Sequence, residues 1–224
     1  MADDDTFIRE VDEQMRQDRA QELWSRYGRF VIAGAVAIVL ATAGYRAWDY
    51  YNQQRLAGYG DRFMSAIELS GRGKHDEAVR ALEALAAEGG GRYPELARLR
   101  IAGEMVARGE KAEALKAFDA LANDSAAMPA LRETAQLQAG LLAVDLEAFS
   151  SVESRLSSLA GAGHPLRHSA REALAIAALK AGEDSKALEW LSRIVEDSEA
   201  AQGVQSRARL LLDHLAGKGV TAEG

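Results

Sequence analysis

Residues 109–118 read GEKAEALKAF. An alanine, Ala114, follows the glycine by five residues; a large apolar residue, Phe118, comes four later, and Leu121 three after that. Spacings of four and three put these side chains on one face of a helix. The leading glycine marks the end of a preceding helix, because it tolerates the left-handed backbone that closes one. The pattern recurs. GKHDEAVRAL starts at Gly73 with Ala78, Leu82 and Leu85, and GEDSKALEWL starts at Gly182 with Ala187, Leu191 and Ile194. The intervals are 36 and 73 residues, which leaves room for one degenerate copy near Asp145. That copy, DLEAFSSVESRLSSL, lacks the glycine and alanine but keeps an apolar stripe of Phe149, Val152, Leu156 and Leu159.

Two further sets run in step. Ala66, Ala102 and Ala175 each precede a marker alanine by twelve residues, with Ala139 close to the expected place in the degenerate copy. Pro94, Pro129 and Pro165 lie 35 and 36 residues apart, each ahead of a helical pattern. Proline is favoured at the first helical position, where its missing N–H had no partner anyway. The sequence therefore predicts a helical hairpin repeated in tandem. Small residues let the two helices approach closely, and the large residue on the second helix fills the space between hairpins. On this reading Ala78, Leu82, Ala114, Phe118, Ala187 and Leu191 are the packing residues. One hairpin cannot bury its apolar face alone, so several must stack.

A period of about 34 to 37 with small residue, glycine turn, alanine, large apolar residue and proline in that order resembles the tetratricopeptide repeat. The resemblance covers roughly Ala57 to Val195, and the tryptophan and tyrosine of the strong consensus are missing from the front of each first helix. Stacked hairpins make a curved surface whose concave side binds extended segments or partner helices. In this register Phe63, Ile67, Leu99, Val106 and Ile176 are the expected groove residues. Residues 202–216, QGVQSRARLLLDHLA, read as a terminal capping helix, and residues 218–224 as a frayed tail.

Composition agrees with an all-α chain. Alanine, leucine, glutamate and arginine dominate, and β-branched residues are scarce outside one run. The net charge of −7 is spread without long single-sign blocks, which argues against nucleic-acid binding. No cysteine is present, which excludes disulfides and thiolate metal sites. His164 and His168 have a spacing that suits two ligands on one helix face, but His164 precedes Pro165 and no third ligand is apparent. HExxH, GxSxG, a P-loop and a dinucleotide fingerprint are all missing. The expectation is a non-enzymatic chain without cofactor, metal or small-molecule substrate.

The scarce β-branched residues collect in RFVIAGAVAIVLATAGYR, residues 29–46. A buried core helix would need surrounding layers, and residues 1–29 are a charged segment. A cleaved signal peptide is suggested by Ala41-Thr42-Ala43 but needs a short basic leader, whereas this one carries eight acidic and five basic groups. A membrane anchor fits best. The uncharged part, Phe30 to Tyr45, spans only about 24 Å as a helix. Arg29 and Arg46 extend it by reaching water along apolar stems. Trp24 and Tyr27 on one side, with Tyr45, Trp48, Tyr50 and Tyr51 on the other, stand where interfacial aromatics belong, and Trp24 to Trp48 covers about 36 Å. Arg16, Arg19, Arg26 and Arg29 before the run, against Arg46, Arg55 and Arg62 after it, place the N-terminus in the cytoplasm. Ala33, Ala37 and Ala41 form a small-residue face. The leader is expected to be helical, capped at Asp5 or Thr6, with a thin stripe of Phe7, Val11, Met15 and Leu23.

The expected architecture is thus a cytoplasmic helical segment (1–29), a single transmembrane helix (30–48), a tetratricopeptide-like α-solenoid with its capping helix (49–217) and a tail (218–224). This arrangement, with FIREVDEQMRQDRAQELWSRYGRFVI at its start, resembles the bacterial family of the ancillary subunit of the Sec translocon (SecYEG), which also includes a cell-division coordinator. The resemblance implies an inner-membrane protein with a periplasmic repeat domain. It implies two protein partners, the translocon and a membrane-anchored periplasmic chaperone of the prolyl-isomerase type, and a role with newly exported proteins. A membrane-tethered scaffold for envelope or division complexes needs the same parts.

Overall fold

The computed structural model describes residues 2–88 and 90–220, with residues 2–23 as helical backbone only. Among the described residues there are nine helices and no strand: α1 (Ala2–Gly71), α2 (His75–Glu88), α3 (Tyr93–Ala107), α4 (Lys111–Ala122), α5 (Pro129–Leu146), α6 (Phe149–Leu156), α7 (Arg167–Ala181), α8 (Asp184–Val195) and α9 (Gln202–Gly217). They fall into two compact units, Met1–Ala57 and Gly58–Gly224.

The first unit belongs to α1 alone. Asp5 and Thr6, the expected caps, sit inside this helix, which already begins at Ala2. The expected stripe of Phe7, Val11, Met15 and Leu23 lies outside the residues whose side chains are described. From Trp24 onward α1 contains a window long and apolar enough to cross a membrane, and none of that window is buried within the chain. Phe30, Ile38, Val39 and Leu40 are each more than half exposed. In an aqueous domain such a surface would cost roughly 25 cal/mol for every Å2 left in water.

The second unit is a run of hairpins. The end of α1 pairs with α2, α3 with α4, α5 with α6 and α7 with α8, and each hairpin packs on the next; α9 packs on α8. The first helices of three hairpins end alike. Gly73, Gly109 and Gly182 have φ of +75°, +82° and +75°. The next N–H, from Lys74, Glu110 or Glu183, donates back to the carbonyl of Leu69, Met105 or Ala178 at 2.9–3.0 Å. This is the Schellman closure, which satisfies an otherwise orphan carbonyl. The degenerate copy closes α5 differently: Glu147 is extended, and its N–H bonds Ala143 O at 2.8 Å. There Gly140 admits the side chain of Leu156, which would collide with any added Cβ.

Pro94 and Pro129 occupy the first turns of α3 and α5 as expected. Pro165 does not: α7 starts two residues later, at Arg167. The N–H groups of Leu166 and Arg167 both return to His164, on its ring Nδ1 and its carbonyl, and this turn holds the proline outside the helix.

α9 ends like a first helix, with Gly219 at φ +82° and the Val220 N–H on Leu215 O at 3.0 Å. Seven residues before the closing glycine the other first helices carry Ala66, Ala102 and Ala175, all buried; α9 carries Leu212. The larger side chain is partly buried and packs on the core. Lys218, assigned to the tail, pairs with Asp184; the rest of the tail, 221–224, lies outside the described residues.

A fourth periodic set escaped the sequence reading. Arg62 pairs with Glu88, Arg98 with Asp124 and Arg171 with Asp197, each joining a first helix to the far end of its own hairpin across 26 residues. The degenerate hairpin has Thr134 and Ala160 at these places. In the fourth hairpin Arg167 and His168 join Asp197, with Arg167 Nε at 2.6 Å, and the Arg167 guanidinium holds that carboxyl far below the usual range.

Candidate protein-interaction groove

Helix spacing on α1, α3 and α5 opens a groove of about 400 Å3 in the repeat unit. Phe63 and Ile67 of α1 form one wall, and Leu96, Leu99, Arg100 and Gly103 of α3 the next. Phe118 reaches in from α4, and Thr134 and Gln138 of α5 close the far side. Phe63 and Ile67 are one helical turn apart, so a single face of α1 supplies both. The ring of Tyr93 at the start of α3 packs beside two rings of α1, its centroid 6.2 Å from that of Phe63 and 6.4 Å from that of Tyr59.

Beneath this wall sits Glu104, 1 % exposed. A buried carboxylate must be bonded on every side to stay charged. Ser70 donates to Oε1 at 2.6 Å, Arg100 Nη2 lies 2.7 Å from the same oxygen, and His75 Nδ1 is 2.7 Å from Oε2. Burial pushes its pKa up, but the Ser70 hydroxyl, His75 and Arg100 together outweigh that and hold it below the ordinary value. Ser70, His75 and Glu104 are the residue types of a hydrolytic triad, yet the connectivity differs. The hydroxyl donates to the carboxylate, and Ser70 also accepts from Arg100 at 2.6 Å, an arrangement that spends the serine on structure.

Of the five residues expected in the groove, Phe63, Ile67 and Leu99 line it. Val106 is half-buried against the main core, and Ile176 lies on α7, 38 % exposed. Leu96, Arg100, Gly103, Thr134 and Gln138 were not foreseen. Phe118, expected only as packing, is also part of the lining, though just 3 % exposed. The other packing residues, Ala78, Leu82, Ala114, Ala187 and Leu191, are all fully buried.

The anchor flanks Trp24, Tyr27 and Trp48 are 61 %, 50 % and 63 % exposed, and Arg29 and Arg46 are exposed too. The Trp24 ring lies over Gly28, and the Arg29 guanidinium sits 4.9 Å from the Phe30 ring centroid. His164 lies before α7, 3.7 Å from Glu133, while His168 faces Asp197 at 2.9 Å, so the two are drawn to different acids. Among the described residues no three histidine or acidic side chains are grouped to hold a metal.

No curated protein matches the chain in a sequence comparison. A family model described as a tetratricopeptide repeat-like domain matches residues 21–164. The match takes in the apolar run and the first three hairpins, and the structure continues the same pattern through a fourth. Repeat arrays of this kind serve as protein-interaction scaffolds rather than catalysts. With the match spanning more than half of its length, the chain belongs to the tetratricopeptide repeat-like domain family.

Proposed function

We propose that this chain is a single-pass inner-membrane protein that offers its groove to protein partners on the periplasmic side. In this reading it is an ancillary subunit of the Sec translocon. It stands beside the translocon with a membrane-anchored chaperone of the prolyl-isomerase type and assists newly exported proteins. The observation that carries the proposal is the composition of α1. One helix supplies an unburied apolar run, flanked by exposed tryptophans and arginines, and also the first wall of the groove. The family match, which begins before the apolar run, supports treating anchor and repeats as one functional unit.

The test is photo-crosslinking in cells, from a probe amino acid placed at Leu99 in the groove and at Ile38 in the anchor. Translocon subunits and the chaperone are the expected products. Division or envelope proteins recovered without them would instead make the chain a scaffold for those complexes. Orientation is checked separately: protease added to spheroplasts should degrade the repeat unit, and protection would invert the topology.

A further inference from the structure

We infer that a second cavity, between α4 and α6, binds a small monocarboxylate bearing hydroxyl groups, with the size and chemistry of a sugar acid. The site is independent of the groove, because it lies on the other side of α5. Arg132 and Gln136 line the cavity, whereas Thr134 and Gln138 line the groove, and two residues turn a helix by about 200°.

The degenerate hairpin makes this cavity where it departs from the repeat. Three residues on from the buried Ala78, Ala114, Val152 and Ala187 stand Ala81, Ala117, Arg155 and Trp190. Arg155 reaches from α6 to α4, with Nη1 at 3.2 Å from Asp119, and its Nη2 lies 3.1 Å from Glu147. Asp119 and Asn123 from the end of α4, Arg132 and Gln136 of α5, and Ser154 and Arg155 of α6 line about 310 Å3. That volume is at the lower end of the range that small-molecule sites occupy.

Charge decides the class of ligand. Arg155 already lies between two acids, but Arg132 has none. The one hydrogen bond of Arg132 is long, from Nε to Ala122 O at 3.4 Å, and among the described residues no carboxylate pairs with its guanidinium. A planar fork of N–H donors fits one carboxylate through both of its oxygens. A dianion fits less well. Burial raises the pKa of Asp119 against the pull of Arg155, and Glu147 adds to the rise, so the cavity already holds its own negative charge at a cost.

Hydrogen bonding adds the hydroxyl groups. Asn123 Nδ2 donates to Asp119 O at 2.9 Å, and Gln136 Nε2 donates to Arg155 O at 2.5 Å and Ser158 Oγ at 3.0 Å. With these N–H groups engaged, both amides keep a carbonyl oxygen free to accept. The Ser154 hydroxyl bonds nothing among the described residues, and Arg155 Nε is buried without a partner, a state few buried donors keep. An aliphatic acid would cover these groups and leave them unsatisfied, whereas a polyhydroxy acid brings donors and acceptors for them.

The experiment titrates the full chain in lipid nanodiscs with potassium gluconate by calorimetry, against a potassium chloride blank. Sorbitol supplies the hydroxyls without the carboxylate, butyrate the carboxylate without the hydroxyls, and glucosamine a cation in place of the anion. Gluconate is expected to bind saturably and the other three at least about tenfold more weakly. Arg132→Gln is expected to weaken gluconate by about tenfold, and Asp119→Asn to tighten it by about threefold, since it removes a repelling carboxylate. Thermal melts confirm that each variant folds; if Arg132→Gln does not, Ser154→Ala, at an exposed position, decides, with a loss of about threefold expected. No saturable heat from gluconate up to about 10 mM overturns the inference, as does sorbitol or glucosamine binding as tightly as gluconate. So does an unchanged affinity in the folded arginine variant or, in its place, the serine variant. Weaker gluconate binding by Asp119→Asn would equally overturn it, because Asp119 would then be attracting the ligand.

Discussion

At Glu104 the first two hairpins share one charge. Its carboxylate joins Ser70 at the end of α1, His75 at the start of α2 and Arg100 on α3, so losing it loosens three elements together. Its pKa is held below the value it has in an unfolded chain. The stability it contributes is therefore complete above the unfolded value of about 4.3 and is lost as pH falls through the lower folded value. Glu104→Gln should lower unfolding free energy at neutral pH by about 1–3 kcal/mol. The gap to the parent should close as pH drops below about 4, measured as urea midpoints across pH. Parallel pH curves for the two proteins would mean that the buried charge is not what links the hairpins. A second residue-scale test concerns shape rather than charge. Ala114 is completely buried where α4 meets its neighbours, so Ala114→Leu should destabilise by about 1–3 kcal/mol through overpacking. An unchanged urea midpoint would move the hairpin contact elsewhere.

Elements in this chain are set by their ends. Gly182 closes α7 at φ +75°, where a Cβ collides with the following carbonyl, so Gly182→Ala should cost about 1–2 kcal/mol. Gly103 is the control. It sits inside α3 with open space around it, and Gly103→Ala should stabilise by about 0.5–1 kcal/mol in the same thermal melt. If both substitutions had the same sign, backbone conformation would not be what the closing glycines supply. This contrast also explains what could be read from the sequence. Closing glycines and marker alanines leave few substitutes, because sterics at one Cβ decides them, so their 36-residue period was visible. The ties between Arg62 and Glu88, Arg98 and Asp124, and Arg171 and Asp197 share that period. They were hidden because charged residues are common on every helix surface. Periodicity named Val106 and Ile176 as apolar-face residues but could not say which neighbouring helix covers a face; core contacts take the first, and the second stays at the surface of α7. Gln138 and Thr134 carried no signal, since their meaning comes from Phe118 and Leu99 standing opposite.

Across the repeat unit, stability is unevenly distributed. A large core runs from Ala102 to Leu215 through hairpins two, three and four and into α9. The first hairpin closes over a separate, small cluster of Ala66, Leu82, Leu85 and Ala97, helped by Tyr59, Phe63 and Tyr93. In a repeat array each hairpin is held by its own packing and by its neighbours, so a small cluster at one end opens before the rest. Hydrogen exchange should therefore show weaker protection in α2 than in α4, α7 and α8. The groove straddles this boundary, with Phe63 and Ile67 on the weak side and Phe118, Thr134 and Gln138 on the strong one. A segment bound there contacts both, and binding to the closed form alone must shift the opening equilibrium by mass action. Saturating the groove with a partner recovered by crosslinking from Leu99 should thus slow exchange in α2 far more than in α8. Equal slowing in both, or none in α2, would show that the first hairpin is not the element through which the groove senses its occupant.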